Sequence, residues 1–305
     1  RRTIAARLRQ AAAPVRDLLR RAALLLGEQD PVGREARRRG LELLARRRRA
    51  ADWVSWTPVP VAEWPLWEAD RARPEERLLS LGLYVEARDA LVRHFPTSRP
   101  RLAFTGAARL LEREAGVRRA VAIAEALFEN LPREVPAEWV APELRRMLHP
   151  YPWAALIRAQ ASAYRIDPAL LAALIREESR FDPGAVSPAA ARGLAQLTRP
   201  TAGRLAGAIG LREPEPRDLL RPDLSIALGA AHLAELSRQF PAAEMVVVAA
   251  YNAGSDQAAL WRRACATREP EEYLAKIGFR ETRAYVIRVF ESRAIYRALY
   301  GTRPD

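Results

Sequence analysis

Two adjacent glutamates, Glu177 and Glu178, close an apolar run that contains Leu170, Leu171, Leu174 and Ile175. Asp167-Pro168 opens that run as a helix start, with aspartate as N-cap and proline in the first turn. The helix runs to Arg180, and Pro183 ends it. At about 100° per residue with Leu171 at zero, Leu174 lies near −60° and Ile175 near +40°. Glu178 then falls at about −20°, inside the apolar stripe, and Glu177 at about −120°, at its edge or beyond. A carboxyl held in such a stripe is partly desolvated, which disfavours the charged form and raises its pKa. A carboxylic acid still protonated near neutral pH serves as a general acid. The plainer arrangement turns Glu178 outward or pairs it with Arg176 or Arg180. On this helix alone both stay open.

Other chemistries are poorly supplied. Cys265 is the single cysteine, which excludes an internal disulfide and a Cys-rich zinc site. His94, His149 and His232 have no metal-ligand spacing, and neither a Gly-rich phosphate loop nor a Gly-x-Ser-x-Gly elbow occurs. Asp182, beside Pro183, suits a turn or cap better than a second catalytic acid. Carboxylates, hydroxyls and amides are what remain.

The elements that must position them are helical. The chain has 305 residues, 49% of them apolar, enough for one large domain or two ordinary ones. No apolar run approaches the roughly 20 residues of a membrane-spanning helix. The net charge of +13 is uneven, because residues 1–50 carry 15 arginines against five acidic residues. That concentration disfavours a uniformly basic nucleic-acid enzyme. It is expected to form solvated helix faces, or to attract an anionic wall polymer or lipid surface. The chain opens on Arg1 instead of Met, as it would after loss of a signal segment.

Trp53, Trp56, Trp64 and Trp67 alternate with Pro58, Pro60 and Pro65, which predicts an irregular connector. From 75 to 131 the pattern becomes two helix pairs, whose Gly82 and Gly116 lie 34 residues apart, the period of tetratricopeptide-like hairpins. Prolines at 132, 136, 142, 150 and 152 then place a boundary near 140–150. The expected division is an Arg-rich segment and connector (1–74), a helical-hairpin region (75–145) and a site-bearing domain (146–305). Further helices are expected near 200–209, 224–239, 242–252, 256–264 and 281–300, with Gly254 as a left-handed cap.

The residues around Glu178 carry more than one motif. Glu178-Ser179 precedes Phe181, Asp182-Pro183, Ser187-Pro188 and Gly193-Leu194-Ala195-Gln196. Later come Ala250-Tyr251-Asn252-Ala253-Gly254 and Phe279-Arg280-Glu281-Thr282-Arg283-Ala284-Tyr285-Val286. In order and spacing this set, over roughly 145–300, resembles the catalytic domain of the soluble lytic transglycosylases, which cleave bacterial peptidoglycan. The resemblance implies an all-α fold: a lysozyme-like catalytic domain preceded by a helical superhelix. It implies a periplasmic or envelope location, peptidoglycan glycan strands as partner, and no metal or organic cofactor.

The resemblance also implies roles. Glu178 matches the single catalytic acid/base, and Glu177 a variable position often held by Gln; since Glu177 points elsewhere on the helix, Glu177→Gln should be mild. Tyr251 matches a tyrosine whose hydroxyl helps orient the acid, with Asn252 beside it in the groove. Ser187 matches a loop serine near the sugar, Gln196 a substrate-binding amide, and Glu281 a position near the peptide stem. Ala195 and Thr198 stand where the family usually has Met, and Ala190 where Gly is common, so apolar contact with the sugar should be thinner there. The implied reaction needs no second carboxylate. Glu178 protonates the bond between N-acetylmuramic acid and N-acetylglucosamine, then deprotonates the muramoyl C6 hydroxyl, which closes on C1 as a 1,6-anhydro end. A lysozyme-type hydrolase and a catalytically weak glycan-binding scaffold are the rival readings.

Overall fold

The computed structural model describes residues 78, 106–108, 110, 111, 116–129 and 142–301. The Arg-rich segment 1–50, the Trp- and Pro-rich connector and the hairpin marked by Gly82 lie outside the described residues, apart from Leu78. The chain divides into two compact units, Arg1–Glu112 with Arg119–Leu148, and Arg113–Arg118 with His149–Asp305.

Most of α1 (Val117–Glu129) and all of α2 (Pro142–Leu148) fall in the first unit. Ala120, Val121, Ile123, Ala124 and Leu127 of α1 are buried, the three-and-four spacing of a one-sided amphipathic helix. Leu144 and Met147 do the same for α2.

The second unit is built from α3 (Ala154–Tyr164), α4 (Pro168–Ser179), α5 (Arg199–Ala208), α6 (Pro222–Gln239), α7 (Glu244–Ala253), α8 (Ser255–Arg263), α9 (Pro270–Lys276) and α10 (Arg280–Tyr300). A single 3-10 turn, Asp218–Leu220, precedes α6. Among the described residues there is no strand, only two isolated bridges, Val186 with Arg192 and Arg192 with Leu197. The expected all-α class therefore holds. Three short helices, α2, α3 and α9, were not anticipated from the sequence pattern.

Helix α4 is the centre of this unit. Its start is as expected: the Asp167 carboxylate accepts from the Ala169 N–H at 2.9 Å, and Pro168 takes the first position. Residues Ala169 to Ile175 are buried without a break, so the helix is enclosed all round and not by one stripe. It packs chiefly on α10, then on α3 and α6. Residues Arg180 and Phe181 both take left-handed backbone, φ 50° and 57°. Left-handed geometry costs a non-glycine residue about 1–2 kcal/mol. Burial of the whole Phe181 side chain offsets that cost by a similar amount.

The N-terminal end of α4 is tied to α10 as firmly as the C-terminal end. Arg293 Nε donates to Asp167 Oδ2 at 2.5 Å, and Arg297 Nη2 to the same oxygen at 2.7 Å. Arg293 also grips Glu244, at the first position of α7, with both terminal nitrogens. Arg293 is 9% exposed, and a guanidinium buried that far is tolerable only with its charge matched and its donors bonded. Gly254 joins α7 directly to α8 with φ 86° and ψ 153°, a positive-φ hinge but not the left-handed helical cap expected.

Candidate active site

Glu178 lies one residue from the end of α4, in the partly exposed stretch 176–178 that follows the enclosed Ala169 to Ile175. The hydroxyl of Tyr285, on α10, donates to its Oε1 at 2.6 Å. Burial pushes the Glu178 carboxyl up to about 7. The Tyr285 hydrogen bond lowers it and the neighbouring Glu177 charge raises it by smaller amounts. Tyr285 is itself held well above the ordinary phenol range, by burial first and then by the Glu178 charge. It stays a donor throughout the neutral range.

Glu178 turns to Tyr285, while the Arg176 guanidinium on the same helix goes to the neighbouring carboxylate: Arg176 Nη1 donates to Glu177 Oε1 at 2.6 Å. Glu177 does not point to solvent. Its side chain is 7% exposed and accepts from Ser292 Oγ at 3.1 Å and Arg288 Nε at 2.9 Å, both on α10. Its angular position is at the edge of the apolar stripe or beyond, but α10 covers that side of the helix as well.

A small hairpin closes over this end of the helix. Ser187 N donates to Ala191 O, Gly193 N to Ala185 O and Arg192 N to Leu197 O, at 2.9–3.0 Å. Ser179, the serine of the Glu-Ser pair, donates to Ile175 O and to Leu194 O at 2.9 Å, so the acid's helix and the hairpin share one hydroxyl. Ala195 N donates to Ser225 Oγ on α6. Gly193 has φ 74°, and a Cβ there would stand 1.9 Å from the Leu219 carbonyl oxygen, so only glycine fits.

The other residues singled out from the sequence fall around this hairpin and the α7–α10 junction. Tyr251, at the end of α7, donates to Ala195 O at 2.9 Å, and its ring packs on His232 with centroids 4.9 Å apart. The direct donor to the acid is thus Tyr285, with Tyr251 bracing the hairpin. Tyr251 is close enough for the Glu178 charge to help burial raise its phenol. Gln196 turns its amide inward, donating to Gly193 O at 2.8 Å and Ala185 O at 3.2 Å. Ser187 Oγ accepts from Ala191 N at 3.1 Å within the hairpin. Asn252 is exposed and accepts from Thr282 Oγ1 at 2.7 Å, one helical turn before Tyr285. Glu281 is exposed beside Thr282 in the first turn of α10.

Ala195 is fully buried, and a Cβ built on Gly229 of α6 would come within 2.7 Å of its methyl. Its small size serves helix approach, so the expected thinning of apolar sugar contact has no basis at this position. The role of Tyr285, which lies within the 279–286 motif, is not legible in the sequence, because no single-helix pattern links α4 to α10. Among the described residues no group of three or more His, Cys, Asp or Glu is placed to hold a metal ion.

A buried helix with one desolvated carboxyl at its end, joined to a hairpin and braced by a long C-terminal helix, defines a lysozyme-like all-helical domain. Residues 155–274 match the family model described as Transglycosylase SLT domain, and the resemblance to soluble lytic transglycosylases holds. The soluble lytic murein transglycosylase of Escherichia coli strain K12 is 31% identical over 151 residues, 49% of this chain and 23% of that protein. A Haemophilus influenzae sequence carrying that name in provisional form is 40% identical over 128 residues, 42% of this chain and 22% of its own length. The chain spans less than a quarter of the length of either relative. An X-ray structure of an inactive mutant of lytic transglycosylase Slt from Pseudomonas aeruginosa shares the fold, with TM-score 0.63 at 23% identity. That likeness covers 96% of this chain and 44% of the Pseudomonas chain.

Proposed function

We propose that residues 146–305 form a lytic transglycosylase domain that cleaves peptidoglycan glycan strands without consuming water. The observation that carries the reading is Glu178: one carboxyl, raised to about 7 by burial and held by the Tyr285 hydroxyl at 2.6 Å. Such a group is protonated often enough near neutral pH to donate to a glycosidic oxygen. After donation it is a carboxylate facing a phenol, ready to take a proton back.

Retaining and inverting glycosidases usually place a second carboxylate across the scissile bond. The acids nearest Glu178 in sequence are occupied otherwise, Glu177 with Arg176, Arg288 and Ser292, and Asp182 in a turn with the Gly184 N–H. A single acid suits a substrate that carries its own nucleophile. Glu178 gives its proton to the oxygen linking N-acetylmuramic acid to N-acetylglucosamine, and the C1–O bond breaks. The carboxylate then removes the proton from the muramoyl C6 hydroxyl, whose oxygen bonds to C1. Protons balance, and the product is a 1,6-anhydro end. A nucleophile on the same ring brings the advantage of an intramolecular reaction.

In this reading Tyr285 orients the acid, while Tyr251 and Gln196 hold the hairpin against which the sugar lies. Ser187, Asn252 and Glu281 face the glycan and its peptide stem. The substrate implies a periplasmic or envelope location; no described helix is long and apolar enough to cross a membrane. The Arg-rich residues 1–50 would add screened attraction to acidic wall polymers, a role supported by sequence charge alone.

The test is mass spectrometry of muropeptides released from purified peptidoglycan by the protein and by Glu178→Gln. Anhydro ends from the first and none from the second are expected. Reducing ends, one water heavier, would make the protein a hydrolase; no release by either would make it a binder.

A further inference from the structure

We propose that Glu177 is a positioning residue for Glu178: clamped by Arg288 and Ser292 of α10, it fixes the end of α4 so that the acid stays on the Tyr285 hydroxyl. The inference rests on Glu178 being the working acid, and extends it to a neighbour that makes no contact with the glycan.

The geometry is that of two adjacent carboxylates gripping one face of one helix. Glu178 takes Tyr285, while Glu177 takes Arg288 at 2.9 Å and Ser292 at 3.1 Å. Positions 285, 288 and 292 are spaced by three and four, so they line one side of α10. The clamp sits where α4 most needs it. Ser179 is the last helical residue and the chain leaves through two left-handed residues, so the final turn lacks the onward hydrogen bonds of a helix interior. Ser179 ties that turn to the hairpin, and Glu177 ties it to α10. Without the Glu177 carboxylate the buried Ser292 hydroxyl and half-exposed Arg288 lose a partner, and the tie between the helix end and α10 falls to the Glu178–Tyr285 bond, with Ser179 still joining the turn to the hairpin.

Charge adds a second consequence that position alone does not. Glu178 faces Glu177 on its own helix, Tyr285 on α10 and Tyr251 on α7. Glu177 faces Arg176 on its own helix, Arg288 and Ser292 on α10, and, beyond Ser292, His149 ahead of α3 at 3.4 Å from that hydroxyl. The negative charge of Glu177 raises the Glu178 carboxyl, and Arg288 partly neutralises that charge. Removing Glu177's charge therefore lowers the Glu178 pKa, and removing Arg288's raises it.

The experiment uses the full chain with Glu177→Gln, Glu177→Ala and Arg288→Gln. Turnover on purified peptidoglycan is followed against pH, and the Glu178 carboxyl is titrated by carbon-13 NMR in the absence of substrate. Glu177→Ala is expected to lower kcat about tenfold or more with KM within about twofold, as small misplacements of reacting groups do. Glu177→Gln, which keeps an acceptor oxygen, should restore kcat to within about threefold of wild type at acid pH. Its alkaline limb and NMR titration should move to lower pH, and those of Arg288→Gln to higher pH. A purely structural clamp would change the melting temperature without moving the two titrations in opposite directions. The proposal is overturned by wild-type titrations in both charge variants, or by kcat losses that follow the folded fraction alone. If wild type releases no fragments, the proposed function fails, and the NMR titrations still decide whether Glu177 and Arg288 set the state of Glu178.

Discussion

Tyr285 and Glu178 lie 107 positions apart in the chain and are joined by a 2.6 Å hydrogen bond from the phenol to the carboxyl. The bond spans the two most extensively packed helices of the second unit, α4 and α10. A proton donor that never ionises in the neutral range is thereby fixed on a carboxyl that does.

Tyr285→Phe is therefore expected to cost more turnover than Tyr251→Phe. Loss of the Tyr285 hydroxyl removes the interaction that lowers the Glu178 pKa, so the alkaline limb of the rate profile should move to higher pH while kcat falls. Tyr251→Phe removes a hydrogen bond to Ala195 O, worth about 1 kcal/mol of stability, and should leave that limb nearly in place. Steady-state rates and urea unfolding of both variants check this.

Glu178→Gln should stabilise the fold at neutral and alkaline pH. Between the ordinary carboxylate value of 4.5 and about 7, the unfolded chain has released its proton and the folded one has not. Stability of the wild type thus falls as pH rises through this window and levels off above it. The Gln variant has no proton to lose. Unfolding free energies from urea titrations should coincide below pH 4 and separate by at most about 3 kcal/mol at pH 8. A constant difference across the range would contradict the raised pKa.

Ala190, at the hairpin tip, holds φ 57° and is exposed. Ala190→Gly removes a left-handed penalty of about 1–2 kcal/mol and adds back some chain entropy. A net gain of about 0.5–1 kcal/mol is expected in urea unfolding.

Two helix glycines should respond in opposite senses to alanine. A Cβ on Gly229 would meet the Ala195 methyl at 2.7 Å, so Gly229→Ala should push the hairpin from α6 and cost about 1–3 kcal/mol. A Cβ on Gly207 meets nothing within 4 Å, and Gly207→Ala should stabilise α5 by about 0.5–1 kcal/mol. Thermal melts of the pair decide it.

What was legible in the sequence follows from the range over which each signal acts. The start of α4 is written in Asp167-Pro168, two neighbouring residues with a local hydrogen bond, and it forms as expected. Helices α5 to α8 and α10 fall within a residue or two of the expected bounds. Helical phase separates Glu178 from Glu177, and the two carboxyls do take different partners on α10; that Glu177 is covered as well was not legible, because hydrophobic phase assumes one covered face. The exchange of partners between Tyr251 and Tyr285 was invisible for a similar reason. Both tyrosines belong to ordered motifs, but which hydroxyl reaches the carboxyl depends on how α7 and α10 cross α4.

The hairpin over the acid is anchored unevenly. Leu194 is held by Ser179, Ala195 by Ser225 and Tyr251, and Gly193 allows no side chain against the Leu219 carbonyl. Ser187 to Ala190, at the far end, bond only within their own turn, and Pro188 to Ala190 are exposed. Evolution and protein engineering therefore meet two different materials in a dozen residues. The base is frozen, since any change there is transmitted to the acid. The tip is open to replacement, lengthening or chemical labelling, and changes there are expected to leave the Glu178–Tyr285 pair undisturbed.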